Sequence, residues 1–174
     1  MAKSPDQRIL LSGAGSIGRR HFGNLRSLGY RDIAVLRSKR RMDVPQRKFF
    51  YKYQPPVFYD LKTALAEKPD AVLVCNPTSL HVSTACAAVR AGSHVFIEKP
   101  ISHRQTGVDA LLREARESKK IIYVGYHFRH HPLLKTTKRI IDSGKLGKLH
   151  ADRFITGTCS WYALRGVGKL VCHS

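Results

Sequence analysis

Three glycines near the amino terminus have the spacing of a phosphate-binding turn. They form the pattern Gly13-x-Gly15-x-x-Gly18, one residue after the apolar residues 9–11. The first glycine permits a tight turn, the second lets the backbone approach a pyrophosphate, and the third lets a following helix pack closely on the strand. Unpaired N–H groups at the start of that helix attract an anion. The motif therefore predicts a dinucleotide site, with a glycine-rich turn that binds no ligand as the alternative.

The residue about 20 positions beyond the last glycine governs which dinucleotide such a site prefers. An acidic residue there hydrogen-bonds the ribose 2′-hydroxyl of NAD. This sequence has Arg37 instead, followed by Ser38, Lys39, Arg40 and Arg41. Hydroxyl and guanidinium donors suit the 2′-phosphate of NADP, because a charge-assisted hydrogen bond contributes roughly 1.5–3 kcal/mol. We therefore predict NADP as the preferred cofactor, contacted by Arg37, Ser38 and Arg41, with NAD as the weaker ligand.

The chain is strongly basic, with a formal net charge of +19. Such a charge attracts nucleic acid, anionic surfaces or phosphorylated small molecules. The densest basic cluster runs from Arg37 to Arg41 and is continued by Arg47 and Lys48, and four aromatic residues follow within 49–53. This pattern is typical of single-stranded nucleic-acid binding, but a solvated loop whose aromatic side chains turn into the core produces it as well. Because no sequence-reading motif is recognisable, we expect no specific nucleic-acid partner.

Strand and helix patterns alternate along the chain and must position these residues. Apolar runs predict strands at 8–12, 32–36, 57–59, 71–75, 94–97 and 121–125. Amphipathic periodicity predicts helices at 17–28, 60–67, 79–91, 104–118 and 132–143. Residues 42–56, which contain three prolines, are predicted to be an irregular connection. The alternation indicates an α/β protein with a doubly wound, mostly parallel sheet of the Rossmann type, whose ligands bind at the carboxyl ends of the strands.

Length and composition exclude several classes of protein. A chain of 174 residues has room for one well-buried α/β domain but not for two of full size. We find neither a window of about 20 apolar residues that could span a membrane nor the apolar core of a signal peptide. The four cysteines lack metal-ligand spacing and are expected to be reduced. These features predict a cytoplasmic protein with no membrane partner.

Polar segments follow the later strands at the predicted binding edge. They are Asn76-Pro-Thr-Ser-Leu-His81, Glu98-Lys99-Pro100 and Tyr126-His-Phe-Arg-His-His-Pro132. The ordered motifs GAGSIGRRH, NPTSLH, AGSHVFIEKPIS and VGYHFRHHP resemble the Gfo/Idh/MocA family of NAD(P)-dependent sugar oxidoreductases. The resemblance covers residues 8 to about 158. It implies hydride transfer between a nicotinamide and a hydroxyl or ketone of a sugar or nucleotide sugar.

The resemblance also implies cofactor contacts for individual residues. Those on the pyrophosphate are Gly13, Gly15, Ser16, Ile17 and Gly18. Those on the ribose and nicotinamide side are Asn76, Pro77, His81, Glu98 and Lys99.

Lys99 matches the catalytic lysine of the family, which orients the substrate hydroxyl and assists its proton transfer. His127 lies where a polar side chain approaches the nicotinamide or the substrate. Two alternatives stay open, namely Lys99 as an ordinary surface lysine and His81 as a helix cap. His127, His130 and His131 would diverge on a strand-to-helix turn with no nearby acid or thiol, so no metal is expected.

Members of the family continue into a second domain that supplies most of the substrate pocket, whereas this chain ends at Ser174. We expect residues 1–147 to form the NAD(P)-binding domain. Residues 148–174 then contain the first strand of a truncated substrate domain and an atypical tail. The unpaired edge of strand 148–158 predicts a homo-oligomer. The alternative functions are an NADP-binding module without turnover and, third, non-specific binding of nucleic acid through the basic surface.

Overall fold

The computed structural model describes residues 6–148, whose six β-strands form one sheet in the order β3-β2-β1-β4-β5-β6. Every neighbouring pair of strands is parallel. The strands are β1 (Ile9–Ser12), β2 (Ile33–Leu36), β3 (Val57–Phe58), β4 (Ala71–Val74), β5 (His94–Ile97) and β6 (Ile122–Val124). The order reverses between β1 and β4, which is where doubly wound sheets bind ligands. The predicted fold class is confirmed.

Helices connect the strands within the described residues. They are α1 (Ser16–Ser27), α2 (Val44–Tyr53), α3 (Leu61–Ala66), α4 (His81–Arg90), α5 (Val108–Glu117) and α6 (Pro132–Asp142), with 3₁₀ turns at Thr78–Leu80 and His127–His130. The predicted helices are present, with one shifted start. Helix α5 begins at Val108 rather than at 104, because Gly107 directly before it takes a left-handed φ of 84°.

The prediction of an irregular connection at 42–56 is wrong, because α2 occupies most of it. The carboxylate of Asp43 accepts the N–H of Gln46 at 2.7 Å, and the Gln46 side chain accepts the N–H of Asp43 at 3.1 Å. This capping box satisfies N–H groups that a helix start leaves unpaired. Pro45 sits in the first turn, where its missing N–H costs nothing.

Aromatic packing also stabilises α2. Phe49 is only 7% exposed and meets Phe22 of α1 edge to face, with the ring centroids 4.9 Å apart. Tyr53 lies 5.1 Å from the same Phe22 ring. Phe49 is therefore a core residue and offers no stacking surface to nucleic acid.

Apolar side chains cover both faces of the sheet. Successive side chains of a strand point to opposite faces, so Leu10 and Leu11 of β1 belong to different core clusters. The Leu10 cluster includes α4 and α5, and the Leu11 cluster includes α1 and α2. This double burial fixes the sheet and thereby the loops at its carboxyl edge.

The chain divides into two compact units, Met1–His127 and Phe128–Ser174. In the second unit, the structure describes α6 and the turn that follows it. The strand and the oligomer contact predicted at 148–158 lie outside the described residues, apart from Lys148 itself. Within residues 6–148, every helix is too short or too polar to cross a membrane.

Candidate functional site

The parallel register brings the carboxyl ends of four strands to one edge of the sheet. Ser12 of β1 pairs with Leu36 on one side and with Val74 on the other, and Val74 pairs with Ile97. The segments that follow these strands are therefore neighbours, although they are distant in sequence. They begin at Gly13, Arg37, Cys75 and Glu98.

Glycine suits the three positions of the turn for different physical reasons. A Cβ at Gly13, where φ is +108°, would lie 2.5 Å from the carbonyl oxygen of Cys75. A Cβ at Gly18 would overlap the carbonyl oxygen of Gly13. At Gly15 a Cβ would meet no heavy atom of the described residues within 4 Å. Gly13 and Gly18 thus allow backbone packing, whereas Gly15 keeps the approach to the turn open.

Helix α1 starts at this turn, with Gly15 as its N-cap and no side-chain cap from the described residues. Helix geometry leaves the N–H groups of the first turn, at Ser16, Ile17 and Gly18, without partners inside the helix. With the helix dipole, these donors favour an anion in front of the turn.

Two side chains that no sequence motif identified donate hydrogen bonds to the main chain of the turn. Arg19 Nη1 donates to the carbonyl oxygen of Ala14 at 3.0 Å, and Gln46 Nε2 donates to the same oxygen at 3.2 Å. Gln46 belongs to α2, so the unpredicted helix helps to shape the site. The capping-box spacing of Asp43 and Gln46 was the local signal for this helix.

Arg37 is held in a defined orientation at the end of β2. Its guanidinium carbon lies 5.6 Å from the ring centroid of Phe50 and 5.8 Å from that of Tyr59. Its Nη2 donates to the carbonyl oxygen of Arg40. Cation–π contacts of this kind stabilise by about 0.5–1 kcal/mol at exposed sites. The protein's own contacts therefore orient the guanidinium, and Ser38 and Arg41 in the segment that follows it are exposed.

Asn76 lies at the centre of the edge, after β4. Its Nδ2 donates to Thr84 Oγ1 at 2.9 Å and to Ser12 Oγ at 3.3 Å. Its Oδ1 is buried and has no hydrogen-bond partner among the described residues. A buried acceptor without a partner is costly, so a donor that reaches it adds stability. The neighbouring Pro77 is exposed.

His81 is only 2% exposed and sits beneath the edge. Its Nε2 lies 2.9 Å from the carbonyl oxygen of Asn76, and its Nδ1 lies 2.9 Å from that of Pro100. Both partners are acceptors, so a neutral imidazole forms one of these hydrogen bonds and an imidazolium forms both. His81 therefore joins the loops after β4 and β5, and its ring makes no side-chain cap bond at the start of α4.

Glu98 and Lys99 differ in exposure although they are adjacent. The Glu98 side chain is 14% exposed and lies 2.6 Å from Nε2 of His21. Lys99 is exposed at the edge, as is His127 beyond β6. The sequence contains His21 inside the motif GAGSIGRRH, but no local pattern shows which strand a helical side chain faces.

The thiol of Cys75 is an inert part of the site. Burial raises its pKa to about 12, and the negative charge of Glu98 adds to the effect. The group is thus a neutral thiol that packs beside Gly18.

An open parallel sheet with a glycine turn and an uncapped helix start at its switch point defines a dinucleotide-binding Rossmann domain. Residues 7–126 match the oxidoreductase family with an NAD-binding Rossmann fold, GFO_IDH_MocA. The chain belongs to this family, which confirms the resemblance inferred from the motifs.

Individual relatives differ in the reactions for which they are named. The chain is 30% identical over 148 residues to 4-carboxy-2-hydroxymuconate-6-semialdehyde dehydrogenase of Sphingobium sp.. The aligned region covers 83% of this chain and 46% of that protein. The chain is 32% identical over 155 residues to myo-inositol 2-dehydrogenase of Thermotoga maritima, covering 84% and 44%. The crystal structure of myo-inositol 2-dehydrogenase from Lactobacillus plantarum superposes with a TM-score of 0.71 at 25% identity, covering 83% and 43%. The chain thus spans less than half the length of each.

Proposed function

We propose that this chain supplies the cofactor-binding part of an NADP-preferring oxidoreductase acting on a sugar, a nucleotide sugar or a related polyol. The observation that carries the proposal is the meeting of the glycine turn, Asn76 and the Glu98–Lys99 segment at the switch point of the sheet. Membership in the oxidoreductase family supports the reaction class. The inositol dehydrogenases among the relatives support a polyol substrate.

The residues at this edge fit a nicotinamide dinucleotide. The open space at Gly15 leaves room for a pyrophosphate against the N–H groups of α1. The buried, unpartnered Oδ1 of Asn76 is an acceptor suited to an amide or hydroxyl donor of a ligand. Arg37 is oriented where the adenine ribose of a dinucleotide binds in such folds.

A bound nicotinamide supplies the two-electron redox chemistry. The N–H groups at Ser16, Ile17 and Gly18 would hold the pyrophosphate of the dinucleotide. Glu98, whose carboxylate contacts His21, would orient a ribose hydroxyl on the nicotinamide side. In the oxidation direction a neutral Lys99 Nζ would accept the proton of the substrate hydroxyl, and in the reduction direction the Lys99 ammonium would return a proton to the substrate oxygen. His81 acts indirectly, because its ring holds the loops that carry Asn76 and Pro100.

The preference for NADP follows from charge at the end of β2. One or two charge-assisted hydrogen bonds to the 2′-phosphate, each worth roughly 1.5–3 kcal/mol, would favour NADP by about tenfold to ten-thousandfold. Aromatic contacts with Phe50 and Tyr59 limit the conformations of Arg37, so less entropy is lost when it binds the phosphate.

Calorimetric titration of the chain with NADPH and with NADH tests this proposal. We expect tighter binding of NADPH, and we expect Arg37→Ala to remove most of the difference. The matched control is Arg31→Ala, since Arg31 precedes the same strand at its amino end and carries the same charge. Equal affinities of the wild-type chain for the two cofactors at low salt would contradict the assignment of Arg37.

A second candidate is a module that binds NADP without turnover. The exposure of Lys99 favours it, because a hydrated ammonium orients a substrate poorly until water is excluded. A dehydrogenase screen over polyols, sugars and nucleotide sugars separates the two functions. Binding without turnover supports the module, and turnover that Lys99→Met abolishes supports the enzyme.

A further inference from the structure

A short hydrogen bond joins helix α1 to the end of strand β5. His21 Nε2 lies 2.6 Å from Glu98 Oε1, and the two side chains are 20% and 14% exposed. Because a carboxylate can only accept, the imidazole N–H is the donor. A hydrogen bond to an ionised acceptor is about twice as strong as a neutral one. Partial burial also shields this bond from competing water.

The same Glu98 carboxylate also accepts a hydrogen bond from the main chain of Lys99. Glu98 Oε2, the second carboxylate oxygen, accepts the N–H of Lys99 at 3.2 Å. The N–H of Glu98 itself donates to the carbonyl oxygen of Val74 in β4 at 2.9 Å. The carboxylate is thus held through both oxygens, one by α1 and one by the segment that carries Lys99.

Packing keeps the imidazole of His21 in place for this contact. Its ring meets Phe96 of β5 at a centroid distance of 5.2 Å, and Phe96 stacks on Tyr123 of β6 at 5.9 Å. A Cβ at Gly125 would lie 2.8 Å from Cζ of Phe96 and 3.4 Å from Glu98 Oε1. The glycine therefore leaves the space that this aromatic arrangement and the carboxylate occupy.

We propose that His21 is a positioning residue that fixes the Glu98 carboxylate and the Lys99 main chain on the nicotinamide half of the site. This inference rests on the proposed function, because that function places the cofactor at this edge. Strand β5 lies on the opposite side of the switch point from β2, where the adenine ribose binds. Loss of His21 should therefore weaken contacts to the nicotinamide half and spare those to the adenine half.

The test compares a whole cofactor with a fragment of it. NADPH carries both halves, whereas adenosine 2′-phosphate 5′-diphosphate lacks the nicotinamide riboside. Two variants remove the donor: His21→Leu, and His21→Asn, whose shorter amide cannot reach Glu98. His21→Gln keeps a donor at a similar reach. The control is Asn24→Leu, at an exposed position on the same helix.

Calorimetric titration should show a selective loss. We expect His21→Leu and His21→Asn to lower the affinity for NADPH by about threefold to tenfold, because one hydrogen bond is lost. The affinity for the fragment should stay within about twofold of the wild-type value. His21→Gln should restore NADPH binding to within about twofold of wild type. Asn24→Leu should change neither affinity. Hydrogen exchange of the Lys99 amide, measured without ligand, should be faster in the two loss variants alone.

An equal loss of affinity for both ligands would show that His21 serves only the fold. An unchanged affinity for NADPH would show that the His21–Glu98 pair positions no part of the cofactor site. Either result overturns the inference. If the wild-type chain binds neither ligand, the proposed function fails instead. In that case the exchange rate of the Lys99 amide still decides whether His21 fixes this segment. If His21→Leu does not fold, His21→Asn and His21→Gln carry the comparison.

Discussion

Replacement of Gly15 by valine separates the role of the turn in binding from its role in folding. Gly15 has φ −67° and ψ −174°, an extended conformation that a β-branched residue adopts without strain. Its Cβ would meet no heavy atom of the described residues within 4 Å. The poorer N-cap costs a few tenths to about 1 kcal/mol, and the lower entropy of the unfolded chain offsets about 0.4–1 kcal/mol. The free energy of unfolding should change by less than about 1 kcal/mol.

The loss of cofactor affinity should be far larger. The isopropyl group of valine would stand in the open approach to the N–H groups of α1, where the pyrophosphate is proposed to bind. Loss of two charge-assisted hydrogen bonds, each worth roughly 1.5–3 kcal/mol, removes about 3–6 kcal/mol of binding free energy. At 1.4 kcal/mol per factor of ten, affinity should fall by about a hundredfold to ten-thousandfold.

The matched comparison is Gly18→Ala, which adds a smaller side chain at the other end of the motif. Its Cβ would overlap the carbonyl oxygen of Gly13, and a backbone atom cannot move aside cheaply. Overpacking of this kind costs about 1–3 kcal/mol of unfolding free energy. Calorimetric titration and thermal denaturation of both variants test the pair. A folded Gly15→Val variant that binds NADPH as tightly as wild type would refute the reasoning, because the glycine turn would then be only a turn.

Two further predictions concern the surroundings of the site. With its pKa raised to about 12 by burial, Cys75 has about one thiolate in ten thousand at pH 8; peptide mass spectrometry after iodoacetamide should therefore find it unmodified in the folded chain and alkylated in the denatured one. Comparable labelling in both states would show that the thiol is accessible. Asp43→Ala removes the cap of α2 and should lower the free energy of unfolding, measured by denaturant titration, by about 0.5–2 kcal/mol. Asp43→Asn keeps a side-chain acceptor, so its free energy of unfolding should fall by less. No difference between the alanine and asparagine variants would contradict the capping role.

The sequence determined the elements whose signals are local. Continuous apolar runs predicted the six strands, and glycine spacing predicted the turn between β1 and α1, because burial on both faces and tight backbone approach restrict residue type at each position. The alternation of strands and helices then decided the parallel topology, since right-handed crossovers leave few other arrangements. Helix α2 shows the limit of this reasoning, because the three prolines of residues 42–56 indicated a loop more strongly than the capping pattern at Asp43 and Gln46 indicated a helix.

Only the tertiary structure decided which side chains meet. His21 and Glu98 are 77 positions apart, and their contact depends on the rotation of α1 against the sheet. His81 reaches Pro100 because the loops after β4 and β5 lie side by side, a consequence of strand register. The distinction between Gly15 and Gly18 likewise depends on what surrounds each Cβ. A local pattern constrains the backbone of one segment, whereas these contacts join segments whose relative placement is set by packing of the whole core.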